Sequence, residues 1–288
     1  MIGILLVYRA RLRCSSSFRY ALTLSDEGAD MTHMEIYKQP LYYEIAFSFI
    51  DPKEQADSFG EIIKRFSKAK VKRFLDIACG PSLQLREIAK RGYEAVGLDL
   101  NPEMLAYLRK RAKEEGLKIE TIQADMYNFR LKEKADFAFI MMGSLDATSN
   151  EKFLSHLASV AASLNKGGLY FIQNVTLDWT MEAKSTWTMT RNGITVKTTF
   201  ESRFKDVLSQ TYAEKLTLEV SDNGEKKRFV HEEDLKFIFP REFKLLVEAN
   251  GEFEFLGWWK GNCNTWHFDQ PLEKVKNLSD NMVLLRRK

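Results

Sequence analysis

Cysteine and histidine are scarce in this chain, and their scarcity excludes several kinds of site. The 288 residues include three cysteines, Cys14, Cys79 and Cys263, which lie far apart and show no metal-ligand spacing. An odd number of cysteines cannot form a complete disulfide framework, so we expect a reducing, cytoplasmic setting. The histidines are equally scattered, and no metal is expected; they are His33, His156, His231 and His267.

Long apolar runs and a strong charge of one sign are missing as well. No stretch approaches the roughly 18 apolar residues that cross a bilayer, so we expect no membrane partner. The formal net charge is only +3, from 43 basic and 40 acidic residues, which argues against a nucleic-acid partner. Hydrophobic residues make up 44% of the chain, enough to bury a sizeable core.

The first residues of the chain differ in composition from the rest. They contain the apolar run Met1–Val7 and four arginines ahead of the first acid, Asp26. This composition is typical of a targeting segment. The alternatives are a tail outside the fold and an upstream start, with initiation at Met31 or Met34. We favour these alternatives and expect residues 1–33 to be a disordered extension.

A further absence concerns the turn after the first clear strand. Phe74–Ser82 is an apolar run that contains Asp76 and ends in a small-residue turn with one glycine and no basic residue. A dinucleotide site needs the pattern G-x-G-x-x-G, in which the backbone approaches a pyrophosphate. The missing glycines therefore disfavour a nicotinamide dehydrogenase. The Asp76 carboxylate would instead attract a cation, such as the ammonium and sulfonium of S-adenosylmethionine (SAM), which has no phosphate.

A second acid follows at the distance where a ribose-binding carboxylate is expected. Asp99 stands 19 residues after Gly80 and ends a second apolar run. Strand-like runs alternate with helix-like segments; the strands are 72–77, 94–99, 118–123, 136–142 and 168–174, and the helices are near 83–91, 102–115 and 150–164. This alternation predicts a parallel, doubly wound sheet with a cofactor at the carboxyl ends of its strands.

These segments together resemble the class I (Rossmann-like) SAM-dependent methyltransferases. The first motif of that family, D/E-x-G-x-G-x-G after a strand, is similar to residues 76–82, with Ala78 and Ser82 at two of the three glycines. Three later segments resemble the second motif, the third motif and the turn into strand five; they are Ala95–Leu105, Ile122–Met126 and Leu164–Ile172. Any single match is weak, but the matches occur in the family's order.

The resemblance implies a site for SAM, with S-adenosylhomocysteine as the product. By that likeness Asp99 accepts both ribose hydroxyls, Leu100 and Met104 border the adenine, and Asp125 meets the adenine edge. The predicted cofactor-binding residues are Tyr42, Asp76, Ala78, Gly80, Asp99, Leu100, Met104, Ala124, Asp125, Met126 and Met142. The alternative for the three acids is that they are turn residues of an ordinary α/β domain.

After residue 174 the pattern changes to antiparallel strands. Asn192–Gly193 and Asp222–Gly224 are hairpin signals between segments of alternating polarity. The predicted fold class is therefore α/β, with a seven-stranded, mostly parallel doubly wound sheet and an antiparallel β appendage between strands five and six. The predicted domains are the SAM-binding core at 34–174, an insertion on the substrate side at 175–239, and the last helix and two core strands at 240–288.

This arrangement narrows the resemblance to small-molecule N-methyltransferases. It implies methyl transfer from SAM to a small-molecule acceptor by in-line displacement without a metal, with an amine nitrogen favoured over a hydroxyl. Asp146, after strand four, is the candidate for holding or deprotonating the acceptor, and a loop cap is its alternative role. Tyr43 is the second catalytic candidate. An aromatic residue of this N-terminal segment covers the cofactor in many such enzymes, and plain packing is the alternative for Tyr42 and Tyr43.

Two other functions are weighed against this prediction. A protein or RNA methyltransferase is one, although Met141–Ser144 stands where amino-methylating nucleic-acid enzymes usually carry (N/D)-P-P-(Y/F). A catalytically inactive SAM-binding interaction module is the other, favoured by the altered turn at Pro81 and Ser82. The acceptor is not predicted, and a homo-oligomer is left open.

Overall fold

The computed structural model describes residues 36–145, 147–175, 183–275 and 280–288. The extension predicted at 1–33 lies outside these residues. In chain order the elements are α1 Pro40–Ala46, α2 Pro52–Phe66, β1 Arg73–Ile77, α3 Leu83–Lys90, β2 Glu94–Asp99, α4 Pro102–Glu114, β3 Glu120–Gln123, β4 Ala135–Ile140, α5 Asn150–Ser163, β5 Leu164–Gln173, β6 Ala183–Arg191, β7 Ile194–Asp206, β8 Thr211–Asp222, β9 Glu225–Lys236, α6 Pro240–Asn250, β10 Phe253–Gly261, β11 Trp266–Pro271 and β12 Asn281–Arg287. Short 3₁₀ helices lie at Ile36–Lys38 and Leu272–Lys274.

Side-chain caps explain where several helices begin. Asp51 accepts hydrogen bonds from two backbone amides at the start of α2, and Asn101 and Ser149 each accept one at the starts of α4 and α5. Gly251, in the left-handed conformation, ends α6. Within the described ranges, no helix is long and apolar enough to cross a membrane.

The large sheet has eight strands in the order β11-β10-β12-β5-β4-β1-β2-β3. The five strands from β5 to β3 in this order are parallel, and β10, β11 and β12 add antiparallel pairings. The fold class is as predicted, but the count of seven strands is wrong by one, because β11 was not recognised. The turn into β11 is formed by the Asn262 side chain, which accepts hydrogen bonds from the backbone amides of Asn264 and Thr265. A turn of this kind has no Asn-Gly or Asp-Gly signature.

The four remaining strands form a separate antiparallel sheet in the order β6-β7-β8-β9. Both predicted turn sequences join neighbouring strands of this sheet. The two central residues of each turn have positive φ angles: Asn192 52° and Gly193 81° between β6 and β7, and Asn223 49° and Gly224 85° between β8 and β9. Such turns match the right-handed twist of the strands that they join. We call this sheet the insertion sheet.

The two faces of the large sheet carry separate apolar layers because neighbouring residues on a strand point to opposite faces. On β1, Leu75 belongs to the layer that packs against α5 and α6, and Phe74 belongs to the layer that packs against α2, α3 and α4. Both side chains are buried. The sheet is therefore covered on both sides, and the carboxyl ends of its parallel strands form the edge that bears the candidate site.

Helix α1 connects the insertion sheet to the large-sheet unit. Its Ile45 packs in one apolar cluster with Val196 and Leu218 of the insertion sheet. Its Glu44 side chain is fully buried and lies 3.0 Å from Arg86 on α3 and 2.7 Å from Arg191 on β6. This buried ion-pair network joins three elements that are distant in the chain.

Candidate active site at the carboxyl edge of the sheet

Three acidic residues lie at the carboxyl ends of β1, β2 and β3. Asp76 is next to last in β1, Asp99 ends β2, and Asp125 follows β3 by two residues. The pairing is parallel and in register, with Ile77 beside Leu98 and Asp99 beside Gln123. The structure therefore brings the three acids to one edge of the sheet, which is the edge where α/β folds bind ligands.

The turn after β1 keeps a glycine-like backbone at all three motif positions. The φ angles are 53° at Ala78, 51° at Gly80 and 30° at Ser82. A side chain in the left-handed region costs roughly 1–2 kcal/mol, so the structure retains this backbone against a local preference at residues 78 and 82. The two departures from the glycine pattern therefore change the residue types and leave the left-handed φ angles in place.

Ser82 has two specific contacts in this turn. Its buried hydroxyl accepts a hydrogen bond from the Leu85 backbone amide (3.0 Å) and so caps α3. The same hydroxyl donates to Oδ2 of Asp76 at 2.6 Å. The serine thus links the start of α3 to the acid at the end of β1.

Asp99 is held by backbone amides on both of its oxygens. Gly80 donates to Oδ2 at 2.7 Å and Asn101 donates to Oδ1 at 2.8 Å. Each oxygen keeps acceptor capacity, because a carboxylate has about four lone-pair sites. Burial raises the pKa of Asp99, and the surrounding backbone amides oppose that rise. The Gly80 and Asn101 amides therefore fix the position of the Asp99 carboxylate, whose remaining lone pairs can accept hydrogen bonds from a ligand.

Asp76 is almost fully buried, with 3% of its surface exposed. Its pKa is raised well above the usual range, first by burial and then by the charge of Asp99, against the hydrogen bond from Ser82. A buried carboxyl of this kind is stabilised in its charged form when a cation lies beside it. The charged form of Asp76 would therefore require a cation beside it.

The turn after β3 is held in shape by its own acid. Oδ1 of Asp125 accepts a hydrogen bond from the Tyr127 amide at 2.8 Å, and Asp125 forms an isolated bridge with Asn128. Ala124 donates its amide to the Asp99 carbonyl at 3.1 Å, which joins this turn to the end of β2.

Side chains of α5 also hold the turn after β3. The sequence analysis did not predict this contribution. Nδ1 of His156 lies 2.9 Å from the Met126 carbonyl and Nε2 lies 2.6 Å from the Tyr170 hydroxyl. A carbonyl only accepts, so Nδ1 carries the hydrogen and Tyr170 donates to Nε2. Burial lowers the pKa of His156 to about 4 and keeps the ring neutral. Ser155 also donates to the Tyr127 carbonyl, at 2.6 Å.

The apolar residues predicted beside the adenine differ in exposure. Leu100 is 66% exposed at the mouth of the site, whereas Met104 is buried beneath the turn after β1. The Met104 sulfur is the nearest atom to the space that a side chain at Gly80 would fill. An exposed leucine beside an acid edge suits a ligand with a planar apolar part.

The two tyrosines of α1 face different surroundings. The Tyr42 hydroxyl donates to Oδ2 of Asp222 on the insertion sheet at 2.8 Å, and the Tyr42 ring lies beside Phe229. Its polar group is therefore engaged on the insertion sheet. Tyr43 lies within electrostatic range of Asp99: its pKa is raised by burial first and then by the charges of Asp99 and Glu214. Of the pair, Tyr43 is the one positioned towards the acid edge.

The end of β4 contributes a strained backbone. Met142 has a φ of 60°, and its amide donates to Oε1 of Gln173 on β5 at 3.2 Å. Nε2 of Gln173 donates in turn to the Asn262 carbonyl at 3.3 Å, on the turn between β10 and β11. Asp146, the catalytic candidate, lies outside the described residues. Within the described ranges no group of His, Cys, Asp and Glu side chains is arranged to hold a metal ion.

The part of the chain that builds this edge matches a known family. Residues 74–168, from β1 to the start of β5, match the family model described as a methyltransferase domain. This segment of the chain is therefore similar to methyltransferase domains. The predicted family resemblance is confirmed, and the fold is that of the SAM-dependent class I methyltransferases.

Curated relatives match over part of the chain. A ubiquinone biosynthesis O-methyltransferase of Nitrosococcus oceani is 33% identical over 122 residues, which are 40% of this chain and 48% of that protein. A dTDP-3-amino-3,4,6-trideoxy-α-D-glucopyranose N,N-dimethyltransferase of Streptomyces venezuelae is 32% identical over 100 residues, 34% of this chain and 40% of that protein. The chain thus spans half or less of the length of these relatives.

Solved structures are similar in fold over most of the chain. A SAM-dependent methyltransferase from Clostridium acetobutylicum has a TM-score of 0.69 at 17% identity, over 86% of this chain and 96% of that one. DesVI of Streptomyces venezuelae also has a TM-score of 0.69, at 20% identity, over 87% of this chain and 97% of DesVI. At these identities the likeness shows the fold and leaves the acceptor undefined.

Proposed function

We propose that this chain is a SAM-dependent methyltransferase that acts on a small-molecule acceptor, with an amine nitrogen as the methylated atom. The observation that carries the proposal is the acid edge, above all Asp99, whose two oxygens are held by the Gly80 and Asn101 amides. Two fixed acceptor oxygens suit the two hydroxyl donors of a ribose. A cytoplasmic location remains a prediction, and no oligomeric state is proposed.

The other residues of the edge fit the remaining parts of SAM. Asp76, buried beside the turn after β1, would hold the ammonium of the methionine part, and its charge would be restored by that cation. The Asp125–Met126 turn would meet the adenine edge, with the exposed Leu100 against the ring face. Ala78 and Gly80 would let the backbone of the turn approach the ligand closely.

SAM supplies the methyl group on a positively charged sulfur, which is already a good leaving group. The chain's own contribution is therefore alignment, which is worth several kcal/mol of the barrier, roughly 7 at the low end. The acids would bind the two ends of the cofactor and Tyr43 would limit its contact with water. An amine acceptor must lose its proton before its lone pair attacks, so a proton-accepting group is also required.

The choice of an amine rests on the architecture and on the named relatives. The N,N-dimethyltransferase of Streptomyces venezuelae acts, by its name, on an amino sugar, and the similar structures include a sugar N-methyltransferase, KedS8, from Streptoalloteichus. The Nitrosococcus relative is named for O-methylation, so a hydroxyl is the second candidate. The insertion sheet would line the acceptor side.

The first test is calorimetric titration of the purified chain with SAM and S-adenosylhomocysteine. In Asp99→Ala the loss of two hydrogen bonds to a charged acceptor, each about 1.5–3 kcal/mol, should weaken binding by roughly 100-fold or more. Asp136→Ala is the matched control, because Asp136 also accepts from two backbone amides, at Lys72 and Arg73. It lies at the start of β4, at the opposite edge of the sheet.

Equal affinity of Asp99→Ala and Asp136→Ala for SAM would refute the assignment of Asp99 to the ribose. If the folded wild type binds no SAM, the proposed methyltransferase function is refuted. A panel of matched amines and alcohols, with S-adenosylhomocysteine formation as the readout, then tests the acceptor class. Turnover of amines supports the proposal. Binding without turnover across the panel would instead favour an inactive interaction module, and turnover of RNA or protein alone would favour those substrates.

A further inference from the structure

Asp280 lies directly before β12, at the same edge of the large sheet as the three acids but on the far side of β4 and β5. Because β12 runs antiparallel to β5, its first residues meet the last residues of β5. The Asn174 amide donates to the Asn281 carbonyl at 2.7 Å, and the Asn281 amide donates to Oδ1 of Asn174 at 3.1 Å. The Asp280 carbonyl accepts from the Gly261 amide at 2.8 Å.

The side chain of Asp280 has an oxygen that its surroundings do not satisfy. Oδ1 is shielded from solvent and has no hydrogen-bond partner among the described residues. A buried acceptor without a donor costs about 1–3 kcal/mol, and more when it is charged, so it calls for an explanation such as a ligand. Burial raises the pKa of Asp280 to about 7.

The neighbours of Asp280 connect it to the candidate active site. Burial raises the pKa of the Cys263 thiol, on the turn between β10 and β11, and the charges of Asp280 and Glu54 raise it further. Nε2 of Gln55 donates to the Cys263 carbonyl, and Oε1 of Gln55 accepts from Gln84 at 2.8 Å. Gln84 lies two residues after Ser82, in the first turn of α3.

A second series of hydrogen bonds links the turn between β10 and β11 to the end of β4. The Asn262 carbonyl, next to Cys263, accepts from Gln173, and Gln173 accepts from the Met142 amide. By strand order Asp280 lies at the β12 end of this edge, with β5, β4 and β1 between it and Asp99. In the proposed complex an acceptor would approach the cofactor from this end. Among the described residues, Cys263 interacts electrostatically with Asp280 and with Glu54 of α2, and the end of β5 contributes the neutral Gln173 and Asn174.

We propose that Asp280 receives the proton of a protonated amine acceptor, an inference that rests on the proposed methyltransferase function. The ammonium gives a proton to the Asp280 carboxylate, and the N–H electron pair becomes the nitrogen lone pair. That lone pair forms the new N–C bond while the S–C bond breaks and its electrons remain on sulfur. The methylated nitrogen is then positive, and the proton held by Asp280 passes to solvent before the next cycle.

The chemistry of Asp280 selects an amine over a hydroxyl. A carboxylate that titrates near neutrality can take a proton from an ammonium, whose pKa in a side chain is about 10, more readily than from an alcohol with a far higher pKa. The carboxylate also attracts the cationic form of the acceptor, which the hydroxyl analogue lacks. The acceptor class assigned by Asp280 is thus a primary or secondary amine that is protonated in solution.

The test compares Asp280→Asn with Asp269→Asn, which removes the same charge from the exposed side of β11 in the same hairpin. With the amine panel, Asp280→Asn should lower kcat at pH 7 by roughly 100-fold or more while the affinity for S-adenosylhomocysteine stays unchanged. The deficit should shrink as the pH approaches the pKa of the amine, because the free amine needs no base. Asp269→Asn should behave as wild type.

Stability and titration supply readouts that do not need an acceptor. Above pH 7 the buried Asp280 charge opposes folding, so Asp280→Asn should raise the melting temperature at pH 8. The ¹³C carboxyl resonance that is lost in Asp280→Asn should titrate near pH 7 in the wild type.

Undiminished amine turnover by Asp280→Asn, methylation of hydroxyls alone, a lower melting temperature at pH 8 or a titration near pH 4 would each overturn the role of Asp280. The proposed function is judged separately, by SAM binding in the wild type. If the wild type binds no SAM, both proposals fail. If it binds SAM and any of the preceding results is obtained, only the proposed role of Asp280 is refuted.

Discussion

We expect His156 to lower the stability of the folded protein in acid, and we expect replacement of His156 to remove this pH dependence. The imidazole is fully buried, donates from Nδ1 to the Met126 carbonyl and accepts at Nε2 from the Tyr170 hydroxyl. A second ring proton would displace the hydrogen that Tyr170 donates to Nε2, and burial lowers the pKa of His156 to about 4. In the unfolded chain the same ring titrates near 6.5.

The magnitude follows from the difference between the two pKa values. Between pH 6.5 and pH 4 the unfolded chain binds a proton at this ring that the folded protein does not bind, so acid favours unfolding. The lost stability is about 3 kcal/mol, at 1.36 kcal/mol for each pKa unit. It is fully present above pH 6.5 and disappears as the pH falls towards 4.

The assay is urea unfolding of wild type and His156→Gln at a series of pH values from 7 to 4. At pH 7 the variant should be less stable by about 2–4 kcal/mol, because it disturbs two buried hydrogen bonds. The difference should shrink by about 3 kcal/mol by pH 4, because only the wild type loses the histidine contribution. His267→Gln, at a partly exposed position on β11, is the control. A stability difference between wild type and His156→Gln that stays constant across this pH range would refute a neutral His156 ring with two hydrogen bonds.

Two further predictions concern stability. Ala78→Gly removes a side chain from a φ of 53° and should raise the free energy of unfolding by up to about 1 kcal/mol, whereas Ala89→Gly, inside α3, should lower it by about 1 kcal/mol. Equal losses in urea melts would contradict the left-handed turn. Glu44→Gln breaks a fully buried pair with Arg86 and should cost about 3–5 kcal/mol, against less than about 1 kcal/mol for the exposed Glu61→Gln. Similar small losses in both variants would contradict the buried network.

Local chemistry in the sequence was sufficient to predict the cofactor half of the fold. Asp76 and Asp99 each occur near the end of an apolar run, and helix-like segments alternate with these runs. The hairpin turn at Asn192–Gly193 was readable for the same reason, since its backbone angles favour those residue types. Each of these signals is complete within a few residues of the chain.

Contacts between distant segments could not be predicted in the same way. One local turn was missed as well: the turn into β11 is formed by the Asn262 side chain and has no Asn-Gly or Asp-Gly signature, so the eighth strand was not predicted. His156 was noticed only as a scattered histidine, because its partner at Met126 lies 30 residues away. Tyr42 and Tyr43 are adjacent in sequence, yet one engages Asp222 and the other lies near Asp99.

The sequence by itself determined the alternation of strands and helices, the acids at the strand ends and hence the family to which the cofactor half is similar. Only the tertiary structure decided that His156 of α5 supports the turn that bears Asp125, and that Oδ1 of Asp280 has no hydrogen-bond donor among the described residues. Strand ends and caps follow from the torsional and hydrogen-bonding preferences of neighbouring residues. The burial of Asp280 and of Glu44 follows from packing between segments far apart in the chain, which local preferences do not encode.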